Sequence, residues 1–301
     1  MTESAESLPA TEKRHEARTI DRLTAPEILA AFETEDLVVA AALRELRAPI
    51  MALAEAMRAT LAADGRIFYV GAGTSGRIGA LDAAEWPPTF GVAPARLIPV
   101  VAGGLAALST AVEGAEDRGE EAAAFLEQAD VTAADLVVGI SASGAAAFVQ
   151  RALALSQERD CGRAFITANA AAAGDDPDLI VVAFGTGPEL LAGSTRLKAA
   201  TATHLVLQRA SNLCAVASGW IYDGYMVEMR PTNKKLWARA ARMVAALGGV
   251  AIDAATELLR ASDADIKVAI VAARTQVDVE VARRRLRDVG RQLADLPEFA
   301  R

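Results

Sequence analysis

The alternation of apolar and polar positions changes character several times along the chain, and each change marks an element. The opening stretch, roughly 20 residues, is polar throughout and reads as a loosely held arm. From Thr24 the spacing turns helical. Thr24 stands as an N-cap, Pro26 suits a first turn, and apolar residues recur at Leu29, Phe32, Leu37, Val38, Ala41 and Leu43. A second helix is predicted from about Pro49 to Leu61, stopping near Asp64-Gly65.

The rhythm then shortens. Arg66–Val70 is a compact β-type run, and Leu97–Val101, Leu136–Ile140, Ala164–Thr167 and Leu179–Phe184 repeat it. Helical spacing separates most of these runs, over Ser75–Glu85, Glu116–Gln128 and Ala145–Arg159. Strand and helix in alternation predict an α/β fold, a parallel sheet covered on both faces. Pro99 removes a ladder donor, so its strand is expected at an edge or at a bulge.

A long helix with few charges follows, from about Ser194 to Ser218, and reads as a buried or interface helix. From Lys234 the spacing is helical to the end: Lys234–Leu247, Ile252–Arg260, Asp265–Ala273 and Val277–Val289, with Gly248-Gly249 as a boundary. The expected organisation is an N-terminal arm and helix over 1–50, an α/β domain over 51–230 and a small all-helical subdomain over 231–301.

Hydrophobic residues make up 52% of the 301 and charged residues 23%, the balance of a globular protein able to bury a core. Thirty-one basic against 39 acidic side chains leave a net charge of −8. A nucleic-acid partner wants a basic face and is not expected. An anionic ligand must be held by local devices. Cys161 and Cys214 are the only cysteines and form no disulfide or zinc pattern. With no signal-peptide pattern and no long apolar span, no membrane partner is expected, and the expected location is the cytoplasm.

Two short loops carry the candidate chemistry. Gly71-Ala-Gly-Thr-Ser-Gly76 joins a strand to a helix and formally satisfies G-x-G-x-x-G. A dinucleotide site wants an acidic residue at the end of the second strand, and here that strand ends Val100-Val101-Ala102. Gly73, Thr74 and Ser75 instead suit one phosphate, which backbone N–H groups, hydroxyls and the positive helix end can hold together. A tight turn with an incidental hydroxyl pair has the same sequence. The third strand ends in a second such loop, Ser141-Ala-Ser143-Gly144, again before a helix. On parallel strands both loops fall on the carboxyl edge, where open α/β sheets bind ligands. The pair points to a phosphorylated small molecule.

Gly71–Gly91 (GAGTSGRIGALDAAEWPPTFG), Ala111–Asp117 (AVEGAED), Gly193–Ala202 (GSTRLKAATA) and Thr232–Leu236 (TNKKL) resemble the N-acetylmuramic acid 6-phosphate etherases. The similarity runs from Thr11-Glu12-Lys13-Arg14 through the helical tail. It implies a flavodoxin-like, doubly wound parallel sheet of the sugar isomerase (SIS) type. It implies a lyase that removes D-lactate from N-acetylmuramic acid 6-phosphate to give N-acetylglucosamine 6-phosphate. It also implies no metal or organic cofactor, a phosphorylated amino sugar as ligand, and a homodimer with sites near the subunit interface. Arg77, Ser194 and Lys198 lie within the matching motifs and join the loop residues as expected substrate contacts.

By the same resemblance the proton-donating glutamate falls on Glu85 and the second active-site glutamate on Glu116. The chemistry requires such a pair, one group protonated while the other is ionised. Trp86-Pro87-Pro88 after Glu85 promises apolar surroundings that keep it an acid. Glu116 is expected at the start of a helix, where the dipole favours a carboxylate base. Outside the resemblance, either glutamate reads as an ordinary solvated residue. His15 and His204 read as packed or arm residues rather than a relay.

The chain departs from the family at three places. Ala145-Ala146-Ala147 stands where the family has an Arg-Thr-Pro-type sequence, so a cation and a hydroxyl are missing after the second loop. Ala84 and Trp86 flank Glu85 where the family more often has Ser and Cys, and Asn169-Ala170 replaces Asn-Pro. A divergent phosphosugar lyase or isomerase, or a sugar-phosphate-binding regulator, are the alternatives these changes leave open.

Overall fold

The structure is a computed structural model that describes residues 9–15 and 19–300. Five strands form one parallel sheet: β1 (Ile67–Gly71), β2 (Leu97–Val101), β3 (Leu136–Ile140), β4 (Gly162–Thr167) and β5 (Leu179–Ala183). Their order, β2-β1-β3-β4-β5, is that of a flavodoxin-like doubly wound sheet. The helices are α1 (Ala25–Arg44), α2 (Arg47–Ala62), α3 (Gly73–Phe90), α4 (Gly119–Gln128), α5 (Ala147–Glu158) and α6 (Lys198–Ala217). A hairpin, β6 (Ile221–Tyr222) and β7 (Tyr225–Met226), precedes α7 (Lys234–Gly248), α8 (Ile252–Ala261), α9 (Ile266–Thr275) and α10 (Val279–Asp288). The chain divides into two compact units, Met1–Ala83 with Ala95–Ser211, and Ala84–Pro94 with Asn212–Arg301.

In the first unit the sheet is buried because its strands are apolar on both faces. Phe68 and Val70 of β1 pack with Leu126 of α4 and with Val149 and Leu153 of α5. Tyr69 points the other way, and its hydroxyl donates to Asp82 Oδ2 of α3 at 3.0 Å. This alternation follows from the two-residue period of a strand. β2 lies at the margin of the sheet, with Pro99 opposite Tyr69, so the missing donor faces no further strand. At the entrance to α1 the Glu27 carboxylate accepts from Thr24 N at 2.8 Å, and the two residues form a capping box.

The polar arm is not loose where it is described. Thr11 is buried and its carbonyl accepts from Gly193 N at 2.9 Å. His15 Nε2 lies 3.1 Å from Glu35 Oε1. Residues 1–8 and 16–18 of the expected arm lie outside the described residues.

The second unit is the hairpin and the helical tail, together with residues 84–94. Asp223 and Gly224, both at positive φ (50° and 76°), make the two-residue hairpin turn. Side-chain caps start three of its helices: Asn233 on α7, Asp265 on α9 and Asp278 on α10. Met243 and Val244 of α7, Ile270 and Val271 of α9 and Leu286 of α10 share its core. Among the described residues no helix is long and apolar enough to cross a membrane.

Candidate active site

Both hydroxyl loops open from the middle of the sheet. β1 pairs with β3 in parallel, with Gly71 opposite Ile140, so the two loops leave neighbouring strands at one level. The chain turns outward in opposite directions here, to β2 on one side and β4 on the other. That is the switch point at which doubly wound sheets hold ligands.

The first loop is tight because two glycines meet. A Cβ on Gly76 would lie 2.5 Å from the Gly71 carbonyl oxygen, which no side chain can accept. Gly73, at φ +52°, then starts α3 at once. The first helical bond of the turn runs from Gly76 N to Ala72 O, so the N–H groups of Gly73, Thr74 and Ser75 precede the ladder and point out of the helix end. Thr74 and Ser75 are half-buried. Arg77 donates through Nε to the Ala107 carbonyl at 2.9 Å, which ties α3 to the turn after β2.

The second loop is braced from within. Gly144 N donates to Ser141 Oγ at 3.1 Å and Ala145 N to Ser143 Oγ at 3.2 Å. Asn169 Nδ2 holds the Ser143 carbonyl at 3.0 Å, and Gln150 Nε2 the Gly144 carbonyl at 2.7 Å. Each serine oxygen thus accepts a hydrogen bond from within the loop.

Glu116 is exposed on a 3-10 turn, Ala115–Asp117, which packs against α5. It does not open a long helix as expected, because Gly114 at φ +68° starts the short turn and α4 begins only at Gly119. A Cβ on Gly119 would stand 3.0 Å from the Ala147 carbonyl oxygen, so this segment runs beside the start of α5 and hence beside the second loop. Glu85 lies on α3 and is exposed, whereas Trp86 is buried. The apolar neighbour therefore does not enclose the carboxyl as its position in the sequence implies.

Lys198 needs a larger correction. Its ammonium is paired with Glu35 of α1, and both side chains are buried. The start of α6 is filled as well, since Glu189, 1% exposed, accepts from Lys198 N at 3.0 Å and Ala199 N at 2.9 Å. The amine thus faces Glu35, and the first N–H groups of the helix face Glu189. Ser194 is half-buried in the turn before α6, where its N–H donates to Leu191 O at 2.9 Å. Glu35 and Glu189 escape a reading by motif. One signal was present: Glu35 interrupts the apolar row Ala31, Val39, Leu43 at four-residue spacing.

Among the described residues no group of three or more His, Cys, Asp or Glu side chains could hold a metal ion. Cys161 and Cys214 are buried, and burial pushes the Cys161 thiol up to about 11. The buried Nδ1 of His204 has no hydrogen-bond partner among the described residues.

Residues 50–157 match the family described as glucokinase regulatory protein N-terminal SIS domain. A phosphoheptose isomerase of known structure from Neisseria gonorrhoeae is similar at 23% identity and a TM-score of 0.46, over 64% of this chain and 100% of that one. N-acetylmuramic acid 6-phosphate etherases match far more extensively. That of Mycolicibacterium smegmatis is 41% identical over 93% of this chain and 94% of its own length. That of Pectobacterium atrosepticum is 40% identical over 89% of both, and that of Streptomyces coelicolor 40% identical over 96% and 93%. With identity at that level along nearly the whole of both sequences, the chain belongs to the N-acetylmuramic acid 6-phosphate etherase family.

Proposed function

We propose that Glu85 and Glu116 divide the proton transfers of the family's reaction, Glu85 as acid and Glu116 as base. The chain converts N-acetylmuramic acid 6-phosphate to N-acetylglucosamine 6-phosphate and lactate. In the open-chain sugar the C1 aldehyde acidifies the C2 proton, and Glu116 removes it. The C3–O bond breaks, and Glu85 protonates the departing lactate oxygen. Water then adds across the C2–C3 double bond: its hydroxyl joins C3 while its proton goes to Glu85, and Glu116 returns its proton to C2, which restores both carboxyls. The 6-phosphate rests on the N–H groups and hydroxyls of Gly73, Thr74 and Ser75, facing Ser141, Ser143 and Gly144, with Ser194 at the margin.

One observation carries this reading: the two hydroxyl loops share the switch point of the sheet, and the Glu116 turn runs beside the second of them. In this reading the assembly is a homodimer, and the acid that meets a bound sugar comes from a second copy of the chain. Leu29 and Leu37 on α1 and Met51 on α2, exposed by 64%, 71% and 60%, offer apolar surface for such a contact.

The test is substitution with N-acetylmuramic acid 6-phosphate as substrate. Glu85→Gln should lower D-lactate release by about 10²–10⁴-fold. Glu116→Gln should abolish exchange of the C2 proton with deuterated solvent. Turnover within a few-fold of the unsubstituted enzyme removes the residue concerned from the mechanism.

A further inference from the structure

The turn that carries Glu85 lacks the usual helical support. Pro87 and Pro88 have no N–H, so neither can bond back to the carbonyls of Ala83 and Ala84. The Glu85 side chain is exposed, and among the described residues no hydrogen bond or ion pair holds it. Its direction is therefore set by its neighbour.

Trp86 is 1% exposed and sits in a triangle of rings. It meets Phe90 edge-on at 5.6 Å and 85°, and Trp220 at 6.2 Å and 77°, while Phe90 and Trp220 stand 5.9 Å apart. Such edge-to-face pairs are favourable beyond their buried area. Trp220 is itself fixed, for its carbonyl accepts from Val227 N at 2.9 Å in the β6–β7 hairpin. The turn after the hairpin comes close to the end of α3: a Cβ on Gly91 would lie 2.4 Å from the Glu228 carbonyl oxygen. Consecutive helical side chains point about 100° apart. With Trp86 locked inward, the Cα–Cβ bond of Glu85 points outward.

We propose that Trp220 is a positioning residue for ether cleavage, acting through Trp86 to fix the direction of the Glu85 carboxyl. The proposal rests on Glu85 being the acid. An acid displaced by about 1 Å costs on the order of 10²-fold in rate, whereas binding of the phosphate at the glycine loops does not depend on it.

The experiment compares Trp220→Ala and Trp220→Phe with Glu85→Gln, reading D-lactate release and C2 proton exchange side by side. Trp220→Ala should lower kcat for lactate release by about tenfold or more, with KM within about twofold and exchange retained. Trp220→Phe, which keeps a ring edge against Trp86, should restore most of the loss. Trp220→Leu carries the same test should the alanine variant not fold. If release and exchange fall together, or release is unaffected, the positioning role is wrong. If Glu85→Gln still releases lactate, the acid assignment fails and takes this role with it. If Glu85→Gln is inactive while Trp220→Ala and Trp220→Leu turn over normally, only the positioning role fails.

Discussion

Lys198 and Glu35 form a buried ion pair between the first turn of α6 and the middle of α1, 163 positions apart in the chain. His15 adds a second nitrogen to the same carboxylate. Removing one member of a buried pair leaves the other uncompensated, at a cost of about 3–5 kcal/mol. Lys198→Met should therefore lower the unfolding free energy by that order, measured by urea denaturation. Glu35→Leu combined with Lys198→Met should recover most of it. At temperatures where Lys198→Met is still folded, KM for the phosphosugar should change little. A large rise in KM would return Lys198 to the substrate.

The contrast between Lys198 and the sheet shows what the sequence could carry. β3 matches its expected bounds because a buried parallel strand must be an unbroken apolar run, and β2, half-buried at the margin, matches its own. Pro99 told of an edge because a missing donor is tolerable only there. Gly71 and Gly76 told of a tight loop because only glycine allows that approach. The pairing of Lys198 was not legible for the opposite reason. A cation beside a helix start reads alike whether it faces a phosphate or a distant carboxylate, and tertiary packing alone chooses. The helix expected to start at Glu116 begins only at Gly119, since Gly114 and Arg118 break the run that its neighbours imply.

Asp135 makes stability sensitive to acid. Burial pushes its carboxyl up, but the Arg66 guanidinium and the N–H groups of Thr132 and Arg66 outweigh burial and hold it below the usual carboxylate value. A lowered folded pKa adds stability that is complete above the unfolded value near about 4 and is lost as pH falls through the folded one. Asp135→Asn should cost roughly 3 kcal/mol at pH 7, the lower end for a buried pair because Arg66 keeps some solvent. The gap between variant and parent should close in acid. Parallel stability curves down to about pH 2 would rule out this linkage.

The proposed sharing of the site between two copies is open to a decisive complementation test. Glu85→Gln and Glu116→Gln are each expected to be inactive. In a mixed dimer, one site has Glu116 from one chain and Glu85 from the other, both intact, while the second site lacks both. Random mixing makes half the dimers mixed with one working site each, so activity should return to about a quarter of the unsubstituted level. Reassembly after mild dissociation, followed by D-lactate assay, reads this directly. If the mixture stays inactive while mixed dimers are present, both glutamates act from the same chain.

The last expectation concerns Ala146. It is the N-cap of α5, at φ −60° and ψ 111°, and has no side chain able to cap. It is 8% exposed and packs in the core that includes Phe148 and Val149. A hydroxyl there would accept from the first free N–H groups of α5, an effect of about 0.5–2 kcal/mol. Serine adds one atom and should raise stability. Threonine adds a methyl to a packed site, where overpacking costs about 1–3 kcal/mol, and should come out near neutral. The same hydroxyl keeps its proton and lies just beyond Ser143 and Gly144. If the phosphate rests on that loop, the proton makes a hydrogen bond to a charged group, and Ala146→Ser should lower KM by about tenfold with kcat little changed. Thermal unfolding and steady-state kinetics on one variant therefore separate two roles of one oxygen. A gain in stability without a change in KM would make the oxygen a cap alone, and would place the phosphate on Gly73, Thr74 and Ser75 without the second loop.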